Sequence, residues 1–171
     1  MSPAPDAAEA LRIRPARPSD LAELDALFAR SYPRLLKADY PPSLLVTAVP
    51  MIARAQPRLL ASGTYYVAEL DGAIRGAGGW TPSDRPGRLG QRADVRHVVT
   101  CDSTLRRGIG RALLLHSFAE ARAAGRRWMH CVSTLTAEPF YAALGFRRIG
   151  NTVVPLAPGI DFPAVEMWRP L

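Results

Sequence analysis

Leu105-Arg106-Arg107-Gly108-Ile109-Gly110-Arg111-Ala112 is the stretch whose reading decides the fold. It follows a β-branched run, Val98-Val99-Thr100, and opens an apolar run, Leu113-Leu114-Leu115, that continues to Phe118 and Ala119. The order is strand, short Arg- and Gly-rich loop, helix start. The first N–H groups of a helix have no acceptor inside it, so they point outward and carry partial positive charge. Gly108 and Gly110 are expected to keep side chains away from that backbone, and Arg106, Arg107 and Arg111 add positive charge around it. Such a junction is an anion cradle, and a ligand bearing a diphosphate is the first expectation.

Two familiar phosphate loops fail on spacing. A P-loop ends in Gly-Lys-Ser/Thr, and Lys37 is the only lysine of the chain. A dinucleotide fold needs three glycines after an early strand and an acidic residue about 20 positions later; this loop has two glycines and comes late. Arg106-Arg107-Gly108-Ile109-Gly110-Arg111-Ala112 instead resembles the pyrophosphate loop Gln/Arg-x-x-Gly-x-Gly/Ala of the GNAT superfamily of acyl-CoA N-acyltransferases, with Leu105 departing at its first position. A second segment, Ala137-Glu138-Pro139-Phe140-Tyr141-Ala142-Ala143-Leu144-Gly145-Phe146, resembles the late helix of that family. The resemblance extends more loosely from Arg12 to Leu171. It implies an α/β fold: a mixed, mostly antiparallel central sheet with a parallel strand pair at the CoA site and helices on both faces.

Composition agrees with one globular domain. The chain has 171 residues, 48% hydrophobic and 22% charged, enough for a sizeable core. The division expected is a flexible tail over residues 1–10 and one N-acetyltransferase domain over 11–171. A net charge of +7 points to anionic partners, but the arginines scatter from Arg12 to Arg169, so no nucleic-acid partner is expected. The two cysteines, Cys101 and Cys131, have no metal-like spacing, and no metal is expected. No run approaches the ~20 apolar residues of a membrane span, and Met1 to Asp6 lacks the pattern of a signal peptide. A cytoplasmic protein without a membrane partner is the expectation.

In chain order, Leu11 to Arg14 alternates as a strand, and Ser19 or Asp20 offers an N-cap ahead of a helix carrying Leu21, Leu24, Leu27 and Phe28. A second helix is expected from Ser43 to about Ala55, with a break near Pro50. Tyr65–Leu70, Asp71-Gly72 and Ala73–Trp80 read as a hairpin. Gly76, Gly78 and Gly79 in its second strand mark close backbone approach or a bulge. Thr81 to Gln91 reads as a loop whose Arg85 and Arg88, with Arg92, are candidates to meet an acidic substrate. Asp94 to Thr100, Arg127 to Ser133, Phe146 to Asn151 and Ala164 to Trp168 are the remaining strands, with Pro155 to Pro163 read as a connection.

The resemblance implies direct transfer of an acetyl group from acetyl-CoA to a primary amine of a small-molecule acceptor, in a ternary complex. It implies CoA contacts at the backbone of Val98, Val99 and Thr100, at the loop Arg106, Arg107, Gly108, Ile109, Gly110 and Arg111, and at Thr136, Phe140 and Tyr141. Tyr141 stands where the family has its acid for the leaving thiolate. The base expected is Asp94, on the strand where relatives carry a glutamate, rather than His97, Glu69 or Glu138. Strict alternation puts Asp94 on one face with Arg96 and Val98, opposite His97. Tyr32, Tyr40 and Tyr65 are candidate acceptor contacts, and Cys101 is weighed as a nucleophile. A homodimer is a habit of the family. The alternative from another class is a non-catalytic acyl-CoA-binding or sensing domain.

Overall fold

The computed structural model describes residues 10–171, so the expected N-terminal tail lies outside it except for Ala10. Seven strands form one sheet in the order β1-β2-β3-β4-β5-β7-β6. They are β1 (Arg12–Pro15), β2 (Tyr65–Leu70), β3 (Ala73–Pro82), β4 (Arg92–Thr100), β5 (Trp128–Thr134), β6 (Arg147–Ala157) and β7 (Ile160–Pro170). Every neighbouring pair is antiparallel except β4–β5. That parallel pair needs a long crossover, which the helix α4 (Ile109–Ala123) supplies. The expected mixed sheet is therefore the observed one.

Local chemistry explains the elements. Asp71 and Gly72 both have positive φ, as the two-residue turn of the β2–β3 hairpin demands. Helix α1 (Leu21–Leu36) buries Leu24, Leu27 and Phe28. Asp20 does not cap it. Its carboxylate accepts instead from the Arg17 N–H at 2.7 Å and from Arg14 at 2.8 and 2.9 Å, closing the turn that precedes the helix. Helix α2 (Pro42–Ile52) starts on a proline, whose missing N–H is harmless there, and runs through Pro50 without a break. It stops short of Ala55, and a four-residue helix α3 (Pro57–Leu60) follows. Helix α4 ends in a Schellman pattern: Gly125, at φ 78°, donates to Arg122, and Arg126 donates to Ala121 at 2.9 Å.

Helices α4 and α5 (Glu138–Ala143) cover one face, where Leu113, Leu114 and Tyr141 pack with Ala93, Met129 and Val165 of the sheet. Helices α1 and α3 cover the other, with Phe28 and Leu60 against Val67, Ala77 and Val99. Full burial of a side chain such as Leu114 or Phe28 stabilises the fold by about 2–3 kcal/mol, so each face carries its own anchor. Helix α2 closes a third cluster over Tyr40 and Phe162, whose rings stack at 4.5 Å.

Two further expectations need correction. The stretch Pro155 to Pro163 is not a connection: β6 and β7 run through it as a hairpin, paired from Arg147↔Trp168 to Ala157↔Ile160. Both prolines are tolerated for a reason visible in the sheet. Pro155 lies on the edge strand, and Pro163 lies beyond Ala164, where the β7–β5 pairing ends, so neither interrupts a two-sided ladder. The second correction concerns β4. Gly79 pairs with Arg96 and Ala77 with Val99, so His97 and Val98 face the single Gly78, and His97 takes φ 47°. This β-bulge reverses the alternation. Asp94, Arg96 and His97 now share the side of α1, and Val98 turns to the side of α4. A Cβ on Gly78 would sit 2.9 Å from Val98 Cγ2, which is why that position is glycine.

Candidate active site

The parallel pair β4–β5 holds together only from Arg92↔Trp128 to Asp94↔His130. Beyond Asp94 the strands part, and the β4 edge facing β5 is left without a partner strand. Two cavities meet there. One, of about 500 Å³, is lined by Val98, Val99, Thr100, Arg106, Thr136, Phe140 and Tyr141 among others. The other, of about 850 Å³, lies on the α1–α3 side over Asp94, Arg96 and His130. Tyr32, Val95, His97, Val132 and Thr134 line both, so the cavities join at the parting of the strands.

The smaller cavity fits a CoA ligand on three observations. Among the described residues, no backbone or side-chain group accepts from the N–H groups of Leu105 through Arg111; the first amide of the helix with an acceptor is Ala112, which donates to Gly108 at 2.9 Å. Seven consecutive free amides at a helix start are what a diphosphate needs. The hydroxyl of Thr136 is buried and has no hydrogen-bond partner among the described residues. The free edge of β4 offers amide and carbonyl groups in the spacing an extended amide chain can pair with. The two glycines differ in purpose. Gly108 adopts φ 77° with open space where a Cβ would stand, so its backbone conformation explains it. Gly110 is glycine because a Cβ would press on the Phe140 ring at 3.1 Å and on Thr100 at 3.3 Å. Ile109 and Val99 are buried core residues, so they can meet a ligand only through backbone groups. Arg106 lines the cavity at φ 63°, whereas Arg107 and Arg111 stand on the exposed rim of the loop.

In the wall of the smaller cavity, Tyr141 is packed edge-on between Phe140 and Phe146, with ring centroids 5.2 Å away on each side. Burial, and then the neighbouring Cys131 and Tyr32, push its hydroxyl well above the ordinary phenol value. It therefore keeps its proton. His97 packs on Phe28 at 4.5 Å, and burial drives its imidazole down to about 4, so it is neutral near pH 7. The Tyr65 hydroxyl donates to the His97 carbonyl at 2.7 Å and pins the bulge. Of the three candidate tyrosines, Tyr32 alone lines the cavities; Tyr40 spends its hydroxyl on Pro163 and Leu135, and Tyr65 on the bulge. Cys101 is fully buried, lines neither cavity, and receives a hydrogen bond from Arg30 at 2.9 Å.

Arg92, Asp94 and His130 at the floor of the larger cavity belong to a row of charges that continues to Glu166 behind it. Arg92 Nε lies 2.9 Å from Asp94, His130 Nδ1 lies 3.4 Å from Asp94, and His130 Nε2 lies 2.6 Å from Glu166. Burial alone would raise the Asp94 carboxyl, but His130 and Arg92 outweigh it and hold it below the ordinary carboxylate value. The neighbouring Asp94 carboxylate raises His130, burial opposes the rise, and Glu166 adds to it. With a carboxylate on each ring nitrogen, both nitrogens are called on as donors, which favours the imidazolium. Glu69 and Glu138 are paired with Arg14 and Arg148 and line neither cavity. Sequence reasoning missed His130 and Glu166. Their signal lies in strand register, which single residues do not reveal.

A family model described as an acetyltransferase (GNAT) domain matches residues 61–148, which is more than half of the chain. The chain belongs to the GNAT family. The matched span of this GNAT domain runs from the β2–β3 hairpin through the amide cradle to the end of α5. No curated protein sequence matches it. Solved structures share its fold over nearly the whole length. A GCN5-related N-acetyltransferase from Rhodopseudomonas palustris is 21% identical, with a TM-score of 0.72 over 96% of this chain and 97% of the other. A GNAT-family acetyltransferase from Streptococcus pneumoniae is 22% identical, with a TM-score of 0.67 over 95% and 99%. The PaiA N-acetyltransferase of Thermoplasma acidophilum, solved in complex with coenzyme A, is 14% identical, with a TM-score of 0.67 over 95% and 99%. Among the described residues no helix of the GNAT domain is long and apolar enough to cross a membrane, and no group of three His, Cys, Asp or Glu side chains is placed to hold a metal ion.

Proposed function

We propose that residues 11–171 form one N-acetyltransferase domain that passes the acetyl group of acetyl-CoA directly to a primary amine of a small-molecule acceptor in a ternary complex. The observation that carries this reading is the junction itself: a cavity fitted to a diphosphate carrier and a second, charged cavity share a wall at Tyr32, Val95, His97, Val132 and Thr134. Acetyl-CoA supplies an acyl carbon already activated as a thioester. Amides from Leu105 to Arg111 hold the diphosphate, with Arg106 beside them, and Thr136 and Phe140 line the path of the arm. Backbone N–H groups of β4 near Val98, Val99 and Thr100 face the negative charge that develops on the acyl oxygen. Tyr141 holds its proton for the departing sulfur. Burial raises both that phenol and any thiolate beside it, so the mismatch between them stays small.

An alkylamine is nearly all protonated at pH 7, because its pKa is about 10.4. Asp94 is the carboxylate lining the acceptor cavity and the group that receives the amine proton in this reading. Its cationic neighbours keep it ionised and ready, at some loss of basicity. The test is twofold. Titration calorimetry with CoA should give heat, and thiol release from acetyl-CoA should depend on an added amine. Heat without turnover on any amine would favour the sensing alternative, and no heat at all would remove both readings.

A further inference from the structure

The larger cavity has an unequal charge ledger. Three guanidinium groups line it, those of Arg58, Arg92 and Arg96, with His130 beside them, and Asp94 is the one carboxylate among its lining residues. Two of these cations are already matched. Arg92 sits on Asp94 at 2.9 Å, and His130 sits on Glu166 at 2.6 Å. Arg58 and Arg96 have no carboxylate within ion-pair distance among the described residues, unlike Arg14, Arg30, Arg34 and Arg148 elsewhere in the chain. Arg96 is also oriented: its Nε donates to Thr81 Oγ1 at 2.8 Å, which leaves the terminal nitrogens of the fork free. Arg58 comes from α3, on the helical side of the cavity, and Arg96 from the sheet floor.

We propose that the acceptor is an amine that also carries a carboxylate or phosphate group, received by Arg58 and Arg96. This deepens the acetyl-transfer reading and rests on it. A polyamine would bring positive charge into a cavity with no unmatched carboxylate to receive it. A bifunctional acceptor finds two free forks of the kind that grip planar or tetrahedral anions, while its amine end lies toward Asp94. The carboxylate and phosphate share this chemistry, and the assay separates them.

The experiment compares matched acceptors in the thiol-release assay: an α-amino acid against its amide, phosphoethanolamine against ethanolamine, and spermidine as the cationic arm. The expected result is a kcat/KM at least ten-fold higher for the anionic member of one pair, carried mainly by KM; the pair that shows it identifies the group. R58Q and R96Q should each cut that preference about ten-fold, while R54Q, which removes an exposed charge outside the cavity lining, should keep it. A preference for spermidine or for the neutral members, or a ratio unchanged in both R58Q and R96Q, overturns the inference. Should no amine be turned over, the acetyl-transfer reading fails, and the arginine pair is read separately by calorimetry. N-acetylated amino acid and phosphoethanolamine are then titrated into CoA-saturated protein. Heat from either that is lost in the folded R58Q/R96Q double variant supports the anion site, and absence of heat from both refutes it.

Discussion

Replacing Tyr141 with Phe separates packing from chemistry at one atom. The ring is held between Phe140 and Phe146 and contributes to the main core cluster, so Phe keeps those contacts. Among the described residues the hydroxyl has no hydrogen-bond partner, so its removal strands none of them. The stability cost should therefore stay within about 0.5 kcal/mol, and CoA affinity, which the proposed function assigns mainly to the amides from Leu105 to Arg111, should stay within about two-fold. Turnover should fall much further. General acid help is worth typically about 10²–10⁴-fold, equivalent to roughly 3–5 kcal/mol of barrier. The checks are a urea midpoint with unchanged slope, calorimetry with CoA, and kcat from thiol release. A kcat within two-fold of the unsubstituted protein, with affinity and stability intact, would refute the acid role. Because burial raises the Tyr141 hydroxyl, loss of its proton should not set an alkaline limb of kcat below about pH 9.5.

Tyr65→Phe removes the donor to the His97 carbonyl at 2.7 Å and should cost about 1–3 kcal/mol of stability, with kcat lowered as the bulge relaxes; an unchanged urea midpoint would contradict this. Gly79→Ala forces a Cβ into the Thr64 carbonyl and to 2.6 Å from Tyr65 Cα, and backbone cannot swing aside. It should lose about 3 kcal/mol or more, lowering Tm by roughly 6–12 °C for a chain of this size. Gly150→Ala, with open space around it, should stay within about 0.5 kcal/mol. His130 is raised above its ordinary 6.5, so its contribution to stability is complete below pH 6.5 and fades as pH climbs through the raised value. Asp94 is lowered from 3.8, so its contribution holds above that pH and disappears on acidification. Denaturation measured across pH should accordingly show an alkaline decline that H130Q flattens; an identical decline in H130Q would exclude the imidazolium.

What could be read from the sequence was local. The cradle at Arg106 to Arg111 and the Asp71-Gly72 turn each declare themselves within a few residues, because backbone dihedrals and helix ends are short-range affairs. The glycines of β3 signalled a bulge or close approach, and the structure shows both, at Gly78 and Gly79. What stayed hidden depended on strands distant in sequence. The reversal of faces at His97 exists only because Gly78 lies opposite, and the Asp94–His130–Glu166 row needs the registers of β4, β5 and β7 together. The break expected at Pro50 does not occur, and the strands through Pro155 and Pro163 were missed, for a related reason. A proline forbids a hydrogen bond only where the fold asks for one.

The bulged strand has a consequence for how the two ligands communicate. One continuous backbone, β4, forms a wall of both cavities, so in the proposed reaction the spacing between donor and acceptor would follow the covalent geometry at His97. Distant substitutions in α1 that tilt this strand should make the two affinities drift in step, a covariance that separate walls would not impose.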